Sequence, residues 1–304
     1  MLKLILNYLI FPGFLFSACI GLLAGWVDRK VTARIQWRRG PPWHQNFTDI
    51  IKLLGKETIV PQAAKMTFLL SPFLSVLAVV LVATILGKSI ISPWDWFIGD
   101  LIVVLYLLIV PAVALIMGAS ASRNPFASVG ASREMKLVLA YELPFILSIV
   151  TVVIKSAGAI QIGSILEYQM SFGSHLASLS GILAFIAAIF CMQAKLGFVP
   201  FDVAEADQEI MCGALIEYSG LPLAMFKLTK ALLLYTMPVL LISLFWGRDL
   251  SPLALIGKYI VLLVVIILIK NTNPRLRIDQ ALRFFWGPVT AIAASAVILA
   301  LFGR

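Results

Sequence analysis

Five of the fifteen acidic residues in this 304-residue chain fall between Phe198 and Gly220: Asp202, Glu205, Asp207, Glu209 and Glu217. Carboxylates set this close titrate together. Each negative charge raises its neighbours' pKa, so that a proton stays on one of them near neutral pH. A short helix opened by Pro200 would place Asp202, Glu205 and Glu209 at i, i+3 and i+7, on one face. The competing reading is a solvated acidic loop between two apolar segments.

A further carboxylate, Glu142, stands in Tyr141-Glu142-Leu143-Pro144, inside an apolar run. A carboxylate within a membrane span is costly and marks either a functional site or an ion pair with a buried lysine. Pro144 takes away the hydrogen bond that the Ala140 carbonyl would accept, which leaves a polar spot that water can fill. Lys227 and Lys230 share a face at i, i+3 in another apolar run. They either snorkel to the interface or pair with Glu142 or the acidic stretch, and the sequence leaves both open. Cys19, Cys191 and Cys212 form no close pair, and His44 and His175 are isolated. That pattern argues against an Fe–S cluster or zinc site within the chain. No Gly-rich phosphate loop and no Ser/His/Asp grouping appears.

The elements that must hold these groups are membrane helices. The chain is 61% hydrophobic and 13% charged, with a mean hydropathy of +0.99; a soluble domain is nearer a quarter charged. The fold class expected is all-α, a polytopic membrane protein forming a single integral membrane domain over 1–304. Eight spans are expected, at roughly 4–27, 67–87, 99–120, 134–154, 176–198, 221–246, 251–270 and 284–303. The first reads as a retained helix, not a cleaved signal. Its Gly21-Leu-Leu-Ala-Gly25 has the small-xxx-small spacing that lets helices approach, although chance supplies such spacings as often. Pro111 and Pro238 should kink the third and sixth spans.

The loops at about 28–66, 121–133, 199–220 and 271–283, with the helix ends beside them, carry 18 of the 24 Lys and Arg residues. The positive-inside rule places these loops in the cytoplasm and both termini outside. The net charge of +9 is thus a mark of membrane orientation, with no nucleic-acid footprint. In the first loop, Gly40-Pro41-Pro42 ends any helix, and Gln45 to Lys56 reads as an amphipathic helix with Phe47, Ile50, Ile51 and Leu54 on one side. It is too short and charged to span, so it lies on the cytoplasmic membrane surface or under a partner. In the last loop, Arg275, Arg277 and Asp279 read as a charged docking surface or as a membrane-edge anchor.

Five motifs then occur in order: Arg34-Ile-Gln-Trp-Arg-Arg-Gly-Pro, Lys52-Leu-Leu-Gly-Lys-Glu57, Pro200-Phe-Asp-Val-Ala-Glu-Ala-Asp-Gln-Glu209, Glu217-Tyr-Ser-Gly220 and Pro274-Arg-Leu-Arg-Ile-Asp-Gln280. With them the chain resembles the eight-helix membrane subunit that builds the heel of the quinone chamber in respiratory complex I. It is more similar still to the related subunit of energy-converting, membrane-bound [NiFe] hydrogenases. The resemblance implies an oxidoreductase-complex subunit without its own redox centre, in a prokaryotic cell membrane. Its [NiFe] centre and Fe–S clusters would lie in partner chains: hydrogenase-like large and small peripheral subunits and an Fe–S subunit, beside antiporter-like and small membrane subunits. The family's acidic funnel falls on Glu142, Asp202, Glu205, Asp207, Glu209 and Glu217, with Lys227 and Lys230 beside it. Its basic docking loop falls on Arg29, Arg34, Arg38 and Arg39, with Arg275 and Arg277 nearby. Two departures, Gly40-Pro41-Pro42 where complex I relatives read Gly-Pro-Asn and Ala214-Leu215-Ile216 where they carry an aromatic-Asn pair, lie where quinone access is shaped. They favour the hydrogenase branch, whose sulfane-sulfur reductase relatives share the same frame.

Overall fold

The computed structural model describes residues 2–61, 65–92, 100–205 and 207–303; for residues 2–5, Lys65, Asp207 and Gln208 it describes the backbone only. The side chains of Lys3 and Lys65, and all of Arg304, which entered the basic-residue count, therefore lie outside the described residues.

In chain order the helices are α1 (Leu2–Leu9), α2 (Phe14–Ile35), α3 (Gln45–Leu54), α4 (Lys65–Ile91), α5 (Asp100–Ala121), α6 (Pro125–Lys155), α7 (Ile162–Phe172), α8 (Leu179–Lys195), α9 (Asp207–Ile210), α10 (Gly220–Phe245), α11 (Pro252–Thr272), α12 (Ile278–Phe284) and α13 (Thr290–Leu301). A π-turn, Phe285–Val289, joins the last two into one rod. No strand occurs among the described residues. Among the described residues, seven helical segments are long and apolar enough to cross a membrane, and α8 is a shorter apolar one of 17 residues. The protein is an all-helical polytopic membrane protein, as the sequence implies.

The helix ends differ from those expected for identifiable reasons. The first apolar run is broken into α1 and α2 around Pro12-Gly13. The fourth span begins nine residues before the expected 134: Asn124 caps α6 by accepting from the Phe126 N–H at 2.9 Å, with Pro125 in the first turn. Most of the loop expected over 121–133 is therefore helix. The surface helix α3 is present as expected, and α7, not foreseen, lies across the opposite end of the bundle. There Gln169 of α7 donates to the carbonyls of Ser243 and Leu244 and accepts from the Gly247 N–H, closing the end of α10.

The core is centred on α10, of which 20 residues are buried. The small-residue motif of α2 packs against it. A Cβ on Gly21 would meet the Ala231 carbonyl oxygen at 2.0 Å, so only glycine permits this approach. Pro72, Pro111, Pro144 and Pro238 lie inside helices. α2 ends in a Schellman turn: Trp37 N donates to the Arg34 carbonyl and Arg38 N to the Ala33 carbonyl. The left-handed position of this turn, usually glycine, is Trp37 at φ +57°, at a cost of roughly 1–2 kcal/mol.

Candidate functional site

Contacts between the loops place all four expected basic loops at one end of the bundle. Ser219 bonds the Ile59 N–H and the Glu57 carbonyl, Glu217 takes the Asn124 amide, and the Leu276 N–H donates to the Pro200 carbonyl. Gly220, at φ +60°, lets this junction form, because a Cβ there would strike the Lys56 and Glu57 carbonyls at 2.7 and 2.8 Å.

The acidic stretch is not the helix that Pro200 could have opened. Residues 201–205 run as turns, and α9 holds only Asp207–Ile210, so Asp202, Glu205 and Glu209 share no helical face. The cause is packing. Phe201 is buried against the rings of Phe284 and Phe285, at 5.7 and 4.7 Å between centroids, and that anchor holds the segment irregular. Four of the five acids are then each held by a partner. Asp202 pairs with Arg275 at 2.5 Å, Glu209 with Arg133 at 2.6 Å, and Glu205 with Lys230. The Asn124 amide, whose carbonyl oxygen caps α6, donates to Glu217 at 2.5 Å. Three of the acids, Asp202, Glu205 and Glu209, thus each face a cation, and Glu217 is held by a neutral amide. The Asp207 side chain lies outside the described residues.

Glu142 sits deeper. Because α6 starts at Pro125, Glu142 is nearly five turns from the helix start, not two turns from a start at 134. Neither Lys227 nor Lys230 pairs with it. Its partner is Lys195, at the end of α8, with Nζ 3.1 Å from Oε2 and 3.3 Å from Oε1. Lys195 is only 3% exposed in its side chain and also faces the rings of Tyr141 and Phe145, at 5.5 and 4.9 Å.

A cavity of about 60 Å³ separates the two levels. It has room for a few waters. Its walls include Glu134, Tyr141, Lys195, Asp202, Glu205 and Lys230, with the buried Ser75 hydroxyl, which has no hydrogen-bond partner among the described residues. The pairs Asp202–Arg275 and Glu205–Lys230 thus sit above it, and the Lys195 end of the Glu142 pair below it. A proton or cation passing through this space would meet carboxylates and amines at each step. Sequence reasoning missed Glu134 and Lys195. The signal for Glu134 was its place at the start of the expected span 134–154, about two turns before Glu142 on the same helix. Lys195 had no local signal, since its partner is 53 residues away.

A second, larger cavity of about 290 Å³ lies between α2, α3 and α10, with Asp28, Arg29, Asp49, Lys227 and Lys230 on its walls. The face shared by Lys227 and Lys230 opens here. Arg29 binds Asn46 at 2.9 Å and Asp49 at 3.2 Å, fastening α3 to α2. Burial would raise the Asp49 carboxyl, but hydrogen bonds from Gln45 and Arg29 and the charges of Arg29 and Lys227 outweigh it and hold its pKa below the usual value. Asp28 pairs with Lys270 at 2.7 Å, tying α2 to α11.

The basic residues expected at a docking surface divide. Arg34, Arg38, Arg39 and Arg277 are exposed and form no ion pair among the described residues, whereas Arg29 and Arg275 are held by Asp49 and Asp202. No group of three or more His, Cys, Asp or Glu is placed to hold a metal ion among the described residues.

Residues 7–301 match the family model described as NADH dehydrogenase. The chain belongs to that family. It is similar to formate hydrogenlyase subunit 4 of Escherichia coli K12, at 32% identity over 92% of this chain and 94% of the relative. Hydrogenase-4 component C of the same organism is 34% identical over 80% of this chain and 78% of the relative. A subunit of the NADH-quinone oxidoreductase of Dehalococcoides mccartyi CBDB1 is 31% identical over 91% of this chain and 80% of the relative. Among solved structures, a chain of the membrane-bound sulfane sulfur reductase, an archaeal respiratory membrane complex, superposes with a TM-score of 0.88 at 29% identity, covering 98% of this chain and 99% of that one. The relatives are membrane subunits of complex I-like assemblies, and this chain is a multi-pass membrane protein of the same kind.

Proposed function

We propose that this chain is the non-catalytic anchor and coupling subunit of a membrane-bound hydrogenase-type complex. It docks the peripheral redox arm and links ferredoxin-driven electron transfer to translocation of protons or sodium ions. The [NiFe] centre and Fe–S clusters lie in the hydrogenase-like large and small subunits and an Fe–S subunit, and the charge signal passes on to antiporter-like and small membrane subunits. The polar end faces the cytoplasm of a prokaryotic cell, with both termini outside. Arg34, Arg38, Arg39 and Arg277 meet the arm, and the acids from Asp202 to Glu217 lead inward to Glu142. The two hydrogenase relatives support the choice of complex.

The observation that carries the coupling role is the succession of pairs around the cavity: Asp202–Arg275, Glu205–Lys230, then Glu134, then Lys195–Glu142. A buried pair is held at the balance between Coulomb attraction and desolvation. Moving one proton or one side chain at the arm end shifts the next carboxylate's balance, and the shift arrives at Glu142 as a change in charge within the bundle. Glu142→Gln keeps the shape and removes the titration. In sealed vesicles with fully assembled complex, electron transfer from an artificial donor should persist while the ion gradient is lost. Normal gradient formation would remove Glu142 from the path and leave it as the structural partner of Lys195.

A second reading is a quinone-chamber subunit of a respiratory dehydrogenase, favoured by the second cavity between α2, α3 and α10 and by the NADH-quinone oxidoreductase relative. A third is the equivalent subunit of a sulfane-sulfur reductase. Cofactor analysis of the purified complex separates them: nickel with Fe–S clusters marks the first, and flavin with bound quinone marks the second. Fe–S clusters with neither nickel nor quinone mark the third.

A further inference from the structure

The turn that ends α2 presents a side chain that its own fold does not use. Trp37 is 98% exposed. It holds the left-handed position of a Schellman turn, where glycine forms the same hydrogen bonds without a steric penalty. Backbone strain of this kind persists where a site has a use for it, and within this chain Trp37 buries almost nothing in return. Arg34, Arg38 and Arg39 flank it in the chain, all exposed and without an ion pair among the described residues. Ile35, two residues before it, is 48% exposed.

The length of α2 argues against the bilayer as the cover of this patch. The apolar run of α2 ends at Val27, Asp28-Arg29-Lys30 follow, and the helix continues to Ile35. That extension lifts the turn ~12 Å beyond the apolar run at 1.5 Å per residue. Interfacial tryptophans sit at headgroup level, within about 5–8 Å of the hydrocarbon edge. Three unpaired cations around an apolar knob fit an acidic surface in water.

We propose that Trp37 is the apolar anchor of the docking loop, seated in a pocket on an acidic face of a water-soluble peripheral subunit, with Arg34, Arg38 and Arg39 forming the cationic rim around it. This rests on the docking role assigned above and adds the residue that carries the contact. Tryptophan and arginine dominate interface energetics when a desolvated centre is ringed by polar contacts.

Trp37→Gly separates the anchor from the fold, because glycine relieves the turn while deleting the knob. Membranes holding the assembled complex are washed at a fixed, low ionic strength, and the peripheral subunits that stay bound are followed by their redox activity with an artificial donor. Trp37→Gly should release them roughly tenfold faster or more, with an unchanged or higher thermal midpoint for the purified chain. Wild-type retention overturns the anchor. A parallel Arg34→Gln, Arg38→Gln, Arg39→Gln variant keeps the two readings apart. If it loosens the arm at raised salt and Trp37→Gly does not, docking stands and the anchor falls; if neither loosens it, both fall. Trp37→p-benzoylphenylalanine, irradiated in the same membranes, gives a direct readout. An adduct with a subunit of the complex that high salt strips from the membrane supports the anchor. An adduct only with lipid or with an embedded subunit overturns it.

Discussion

His175, at the end of the bundle opposite the acidic loops, is 3% exposed. Its Nε2 lies 3.0 Å from the Ser156 hydroxyl, and the Tyr168 ring stacks on it. Burial, with the charge of Lys155 nearby, pushes its pKa down to about 4. An unfolded histidine titrates near 6.5, so below that pH the unfolded chain binds the extra proton and the folded one does not. Stability from the neutral imidazole is complete above about pH 6.5 and falls as pH drops toward 4, by on the order of 3 kcal/mol at the lower end. The thermal midpoint in detergent should therefore fall over this window. His175→Gln, which keeps a hydrogen bond to Ser156, should fall less than wild type. Parallel curves for the two proteins would show that His175 does not titrate there. At the same scale, Lys195 shows how a single residue escapes sequence reading. It ends a helix as many lysines do, and its role comes from a carboxylate on another helix.

At the scale of elements, α2 approaches α10 closely at Gly21. The Ala231 carbonyl at 2.0 Å from a Cβ on Gly21 is backbone and cannot swing aside. Gly21→Ala should push the helices apart and cost about 1–3 kcal/mol, read as a lower thermal midpoint in detergent. The same displacement moves Lys230, which α10 carries one residue before Ala231, away from Glu205. Gly25→Ala is the matched control: its Cβ would meet only the side-chain nitrogen of Asn46, at 3.1 Å, which can give way. Equal destabilisation by both substitutions would locate the tight contact elsewhere. Small residues four apart marked α2 as a packing helix in the sequence, but only one of the two glycines is needed for the approach. α6 makes the complementary point. Hydropathy placed its start at residue 134, where the apolar run begins, whereas Asn124 and Pro125 start it at the cap. The intervening turns end at Arg133, paired with the acidic stretch, directly before Glu134, which lines the cavity.

For the whole molecule, the proposed orientation rests on the 18 of 24 Lys and Arg residues that fall in the four basic loops and the helix ends beside them. Single cysteines at Arg39 and Arg277, in a background with the three native cysteines replaced, should escape a membrane-impermeant reagent applied to the outside of intact cells and react once the cells are opened. A cysteine near the start of α7 should do the reverse. Labelling of position 39 or 277 from outside would invert the topology. The loops concerned are joined across the bundle end by Asp202–Arg275, Glu217–Asn124 and the Ser219 contacts with residues 57 and 59, so they must share one side whatever that side is.

Hydropathy, proline and basic-residue placement are properties of a short window of chain, and they determined what depends on short windows. The sequence by itself specified the all-helical membrane class, eight apolar segments, the surface helix α3 and the end of the bundle where the charges gather. The motifs around Arg34, Pro200, Glu217 and Arg275 carried the family. The pairing of the charges depends on distance in space, and only the tertiary structure decided it. Glu142 meets Lys195 across 53 residues, Asp202 meets Arg275 across 73, and Asp28 meets Lys270 across 242. Local spacing suggested that Asp202, Glu205 and Glu209 would line one helix. Burying Phe201 among the aromatic rings of the last membrane rod, with a cation for each acid, outweighed the weak helical preference of so short a stretch.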